Sequence, residues 1–251
     1  MKRFTKKAFV FFGIFFVLGM VFCTAGWVMG YQPGQVLEEY RTDWSEEGHE
    51  QGALAQAAEY QNVSAIEISA GASICEISAY SGDTVRIEVS DKTLLACEQD
   101  GGHLEISYGA RHHSFWKWIT GGSRGPETIR IFVPGKEPLA ELYADVGASE
   151  FIAEGITCKE LELTCGAGKL SFTGEVTGNC FAECGAGAVE LSLKGTEKDY
   201  DYSLECGLGT IEVQDGPDIS GVGEYTKDNQ SGRRIELECG LGSITVEFRK
   251  I

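Results

Sequence analysis

Leu161-Glu162-Leu163-Thr164-Cys165-Gly166-Ala167-Gly168-Lys169-Leu170-Ser171-Phe172 is the stretch that decides the fold. Apolar or small residues stand five, three and one places before Gly166 and one, four and six places after it. Period-two alternation on both sides of a Gly-x-Gly predicts two short strands, each with one buried face, joined at a corner. The same grammar returns at Gly185 and Gly187, with Cys180, Ala182, Cys184, Ala186, Val189 and Leu191 in the inward positions. It returns again at Gly207 and Gly209 and at Gly240 and Gly242. Degenerate copies centre on Gly147 and Gly71, where Ser149 and Ser73 replace the second glycine. The corner glycines are expected to supply positive φ and to let stacked backbones approach closely.

Gly147, Gly166 and Gly185 recur every 19 residues, and the later copies are separated by additions at 194–201 and 214–234. One corner therefore takes insertions, and the Gly-x-Gly corner is expected to refuse them. Tandem copies with one tolerant corner predict an all-β, parallel β-solenoid whose rungs bury their faces against each other. An antiparallel sandwich with hairpin turns at the glycines is the competing arrangement. Between the first two copies, 83–89, 103–108 and 128–133 also alternate and read as strands beside the early rungs, an inserted region of about 83–135 in a domain of 63–251.

Outward from the repeats, the N-terminus sets the compartment. Lys2, Arg3, Lys6 and Lys7 precede an uncharged run over 8–30. As a helix that run is about 35 Å long at about 1.5 Å per residue, enough to span a bilayer. Basic residues ahead of it place 1–7 in the cytoplasm and the rest outside. The fold class thus carries one N-terminal transmembrane helix, then a polar stalk or linker over 31–62 with a helix-compatible piece at 53–59. A cleaved signal peptide ending near Cys23-Thr24-Ala25 is the alternative.

With 33 glycines among 251 residues but no period of three and only 5 prolines, the chain is not collagen-like. Beyond residue 33 it holds 17 basic against 38 acidic side chains, a surface that repels phosphate backbones, so nucleic acid is excluded as a partner. Nine cysteines show no CxxC pair or finger spacing, and no nucleotide, nucleophile-elbow or metalloprotease motif occurs. The expectation is no enzyme, no cofactor and no metal.

The alternating 84–89 strand, the Gly101-Gly102-His103-Leu104-Glu105-Ile106 segment, the basic-aromatic loop, the 129–134 strand and the tandem Gly-x-Gly rungs together resemble the bacterial putative-adhesin family. The resemblance spans roughly 62–251. It implies an extracytoplasmic β-solenoid, frequently carried on a membrane anchor, with no catalytic residues to transfer. Ser149 and Ser73 depart from its double-glycine corners.

Three constellations remain. Cys165, Cys184, Cys206 and Cys239 each precede a repeat glycine and are expected to form an inward column of unpaired thiols, since in-line sulfurs suit neither tetrahedral zinc nor disulfide torsion. Cys97 and Cys158 fall outside the pattern and either pair or stay free. The segment 108–126 holds Arg111, His112, His113, Phe115, Trp116, Lys117, Trp118 and Arg124 without one acidic residue. It reads either as a cap over the end of the solenoid or as a loop that binds cell-wall polymer, anionic lipid or an envelope protein. Outward Glu162, Glu183 and Glu205 are expected to stack on one face, the only arrangement here that suggests glycoside hydrolysis. The reading that follows is a single-pass, membrane-anchored, adhesin-like binding or scaffold module of the cell envelope, with its C-terminal domain outside. An envelope-stress sensing or signalling accessory acting through a membrane partner is the alternative.

Overall fold

The computed structural model describes residues 54–71, 73–109 and 127–249. The tail 1–7, the span 8–30, most of the stalk 31–62 and the Arg111 to Trp118 segment lie outside the described residues. Among the described residues, no helix is long and apolar enough to cross a membrane.

The described chain is all-β apart from two short 3-10 turns. Its first strands are β1 (Ala55–Tyr60), β2 (Ala65–Ala70), β3 (Ser73–Tyr80), β4 (Val85–Val89), β5 (Leu95–Asp100), β6 (His103–Tyr108) and β7 (Glu127–Pro134). There follow β8 (Leu139–Val146), β9 (Glu150–Cys165), β10 (Lys169–Val176), β11 (Cys180–Cys184) and β12 (Ala188–Lys194). The C-terminal part contributes β13 (Asp201–Cys206), β14 (Thr210–Val213), β15 (Asp218–Ser220), β16 (Gly223–Lys227), β17 (Arg234–Cys239) and β18 (Ser243–Arg249). β1 occupies the piece read as helix-compatible stalk. It is a strand because β4 offers it an edge, from Ala55 opposite Val89 to Tyr60 opposite Val85.

Each glycine corner joins two strands into a rung, and neighbouring rungs pair strand for strand in parallel. β11 lies between β9 and β17, and β17 lies between β11 and β13. On the other side of the corners β12 lies between β10 and β18, and β18 reaches β14. The Gly240 rung therefore inserts between the Gly185 and Gly207 rungs, out of chain order. The opposite end repeats the trick: β2 sits between β6 and β8, so the Gly71 rung inserts between a rung cornered at Gly109 and the Gly147 rung. The spatial order is Gly109, Gly71, Gly147, Gly166, Gly185, Gly240, Gly207.

Two further expectations are corrected here. The strands 103–108 and 128–133 do not lie beside the rungs, because β6 and β7 themselves form one, in register with β2 and β3. Ala70 pairs with Tyr108 and Ser73 with Glu127, so the same two strand ends are joined by two residues in one rung and by 18 in its neighbour. The rung with the added residues begins its corner at Gly109-Ala110-Arg111, not at a Gly-x-Gly, and none of the four Gly-x-Gly corners carries an insertion. The sheet is also mixed rather than wholly parallel. At one end β5 runs antiparallel to β6, and β4 antiparallel to β7 and β1; at the other, β16 is antiparallel to β13 and β15 to β14. Antiparallel partners cover strand edges that a stack of parallel rungs leaves open.

The core is the pair of inward rows that these strands project. Leu161, Leu163, Cys165, Leu170 and Phe172 are all buried, as the alternation predicts. Full burial of a Leu or Phe contributes about 1.5–3 kcal/mol. Ala167 and Ala186 are not inward: both are exposed, because the chain turns between the two glycines and the alternation loses its phase. Nor do the Gly-x-Gly glycines adopt positive φ; among the described glycines that conformation belongs to Gly101, Gly109, Gly155, Gly195, Gly221 and Gly232. What the corners need is closeness. A Cβ on Gly166 would stand 2.9 Å from the Gly147 carbonyl oxygen, and a Cβ on Gly168 would collide with the Ser149 carbonyl. Ser149 keeps its side chain because Oγ faces the rung before it, donating to the Gly71 carbonyl and accepting from the Ser73 N–H at 3.1 Å.

Candidate functional site

The basic-aromatic residues Arg111, His112, His113, Phe115, Trp116, Lys117 and Trp118 lie outside the described residues, but both roots of their segment are held. Gly109 has φ 128°, a conformation open to glycine, and its N–H donates to the Leu94 carbonyl at 3.3 Å. On the other root, Ser90 Oγ donates to Glu127 Oε2 at 2.6 Å and accepts from the Thr128 N–H at 2.9 Å. Tyr108 Oη lies 3.2 Å from the same Ser90 Oγ and accepts from the Asp91 N–H at 3.4 Å. Burial is the main force that raises the Tyr108 phenol above its usual pKa. Beside this root opens a cleft of about 340 Å³, lined by Ser69, Gly71, Leu94, Ser107, Tyr108 and Asp145 among others. The edges of this end rung are already covered, β6 by β5 and β7 by β4.

The four repeat cysteines do meet in one column, with free thiols, in the order Cys165, Cys184, Cys239, Cys206 rather than in chain order. Within it, a hydrogen bond between Cys184 and Cys165 pulls the Cys165 thiol below its usual pKa and pushes Cys184 up. Cys165 Sγ also reaches the Gly168 carbonyl at 3.2 Å. Burial raises the Cys239 thiol, and it lifts Cys75 and Cys158 to about 12. Such thiols are poor nucleophiles and poor metal ligands. Cys97 and Cys158 are both free. Among the described residues, no group of three or more His, Cys, Asp or Glu is arranged to hold a metal ion.

The expected stack of Glu162, Glu183 and Glu205 forms differently. Glu162 faces Phe181, two residues out of line, because Thr164 is the partner of Glu183. Glu183 instead faces Glu238, Glu238 faces Glu205, and Glu205 faces Glu224 on the antiparallel strand β16. Four carboxylates therefore cross four adjacent strands in one row. Burial first, then Glu183, Glu205 and Glu236, hold the Glu238 carboxyl above the usual range. Glu238 was visible in the sequence, two places before its glycine like Glu183 and Glu205, whereas Glu224 carries no repeat signal.

The described surface thus carries, at the end of the stack away from Gly109, a carboxylate row beside exposed apolar corners.

No protein-family model matches the chain, and no curated protein matches it. Among solved structures, the chain shares its fold with a putative cell adhesion protein from Clostridium sporogenes, at TM-score 0.58 and 19% identity, covering 78% of this chain and 100% of that one. A putative adhesin from Bacteroides fragilis aligns at TM-score 0.31 and 13% identity over 77% of this chain and 97% of that one. One from Parabacteroides merdae aligns at TM-score 0.25 and 11% identity, over 79% and 97%. These last two overlap too loosely to carry an argument.

Proposed function

We propose that this chain is an adhesin-like binding module of the bacterial cell envelope, anchored by the 8–30 span with its β-solenoid outside. It is a binder and not an enzyme. The contact segment is Arg111 to Trp118, and its partner is an anionic wall polymer, an anionic lipid surface or an envelope protein. One observation carries the reading. The edges of the end rung from which the segment springs are paired with β4 and β5, so Phe115, Trp116 and Trp118 are not needed to close the stack. Aromatic and cationic side chains released from capping suit an interface with anionic, partly apolar matter. The shared fold with a protein described as a putative cell adhesion protein supports the same direction.

Sedimentation of the purified full chain with isolated wall glycopolymer, and separately with anionic against neutral vesicles, where the neutral vesicles report the retention due to the 8–30 span alone, tests it. Retention on the polymer, or on anionic vesicles in excess of neutral ones, at physiological salt and weakening as salt rises, is the expected result. A chain that shows neither, and captures no envelope protein from solubilised membranes, sinks the proposal.

A further inference from the structure

The far end of the stack presents a second surface, independent of the segment 110–126. Among the described residues the exposed large hydrophobics are Leu208 at 65%, Leu241 at 51%, Val222 at 86% and Tyr225 at 36%. All four belong to the last two rungs and their antiparallel cover. Three of them form a row. Leu241 N–H donates to the Gly185 carbonyl, Leu208 N–H to the Gly240 carbonyl, and Gly221 N–H to the Gly209 carbonyl, which sets Val222 beside Leu208. The residue between the glycines points outward at each corner, so the row runs along the stacking axis at about 4.8 Å per strand.

A carboxylate row runs alongside it. Glu238 precedes Leu241 by three residues, Glu205 precedes Leu208 by three, and Glu224 follows Val222 by two. The chain bends at the glycines between them, so the two rows lie at most about 10 Å apart. Like charges directly opposite each other on adjacent strands repel. Among the described residues no ion pair reaches Glu183, Glu238, Glu205 or Glu224, whereas Glu76, Glu175, Glu190 and Glu197 each have an Arg or Lys partner.

We infer that this edge docks a cationic amphipathic helix of a partner polypeptide, its cations over the glutamate row and its apolar face on Leu241, Leu208 and Val222. The spacing selects a helix. Four glutamates span about 14 Å, close to three helical turns of about 5.4 Å, and the separation of the rows falls within the helix diameter of about 10 Å. An extended strand places same-face residues about 6.8 Å apart and falls out of step with the rungs. Charge excludes the other occupants. A second copy brings a net charge of -17, and an anionic bilayer is repelled by the same row.

A fluorescent helix of about 14 residues made of Leu and Lys alone, apolar on one face, is the probe, with a scrambled peptide of equal composition as control. Anisotropy with the full chain is expected to show the amphipathic peptide bound at least about tenfold more tightly than the scramble. Leu208→Ser with Leu241→Ser is expected to weaken binding about tenfold or more, and Glu205→Gln with Glu238→Gln to weaken it and flatten its salt dependence. Glu205→Gln alone, at an exposed side chain, serves if a double variant misfolds. Equal affinity for both peptides, or variants that bind like the parent, overturns the proposal.

Discussion

Cys184 lies opposite Cys239 in the stack, and Cys206, which follows Cys184 first along the chain, lies on the far side of Cys239. The Gly207 rung consequently has no parallel neighbour except one built from residues that come after it. Its remaining partners, β15 and β16, belong to the same excursion.

A chain stopped after residue 232 is therefore expected to leave 201–232 unattached, beyond the Tyr200 hydroxyl that donates to the Val176 carbonyl. Limited proteolysis should cut within that stretch while the Gly147, Gly166 and Gly185 rungs stay protected. Protection of β13 and β14 in the truncated chain would mean that they dock directly on the Gly185 rung.

Close approach at the corners predicts an order of cost among glycine substitutions. Gly187→Ala drives a Cβ into the Gly168 carbonyl and within 2.8 Å of Cys165 Sγ, and should cost about 3 kcal/mol or more. Gly185→Ala meets the Gly166 carbonyl at 2.8 Å and should cost about 1–2 kcal/mol. Gly71→Ala, with only Gly109 Cα at 4.0 Å, should cost under about 1 kcal/mol. Denaturant melts of the three variants check the ranking.

These corners also show what a single sequence does and does not reveal. Leu161, Leu163, Cys165, Leu170 and Phe172 were legible as a core face because period two survives along each strand. The outward turn of Ala167 and Leu208 was not, because alternation breaks phase between the glycines. Stacking order was illegible for another reason: every rung offers a similar inward row, so Cys184 meets a cysteine whichever rung comes next. The Gly109 rung escaped notice because residues 110–126 separate its two strands. The acidic row was half visible, as Glu183, Glu205 and Glu238 share a repeat position, but β16 joins it antiparallel from outside the pattern.

Three thiols of the column should be inert in the native protein. Alkylation under native conditions is expected to be slow at Cys184, Cys206 and Cys239 and rapid after denaturation, since each is buried. Cys184→Ala removes the hydrogen bond that lowers the Cys165 thiol, so the ultraviolet thiolate titration of Cys165 should move upward. An unmoved titration would show that the bond does not set it.

Glu238 gives a pH signature. Its folded carboxyl titrates above the ordinary value of 4.5, so the folded state takes up the proton first, and stability gained below that ordinary value is lost as pH rises through the folded value. Glu238→Gln should be more stable than the parent at neutral pH, and the gap should close as pH falls toward about 4.5. Chemical melts across that window check the sign, and a gap that widens on acidification contradicts it.

The central claim is that the segment rooted at Gly109 and Glu127 contacts the envelope instead of closing the stack. Trp116→Ala with Trp118→Ala in the full chain, measured once for binding to wall polymer and for the excess of anionic over neutral vesicle binding, since the 8–30 span enters either vesicle unaided, and once for melting, tests it directly. The account predicts that binding is lost while the melting transition hardly moves. Truncating aromatic side chains in packed sites costs about 3–5 kcal/mol each, so intact binding with a large drop in stability would make the segment a cap and contradict the claim.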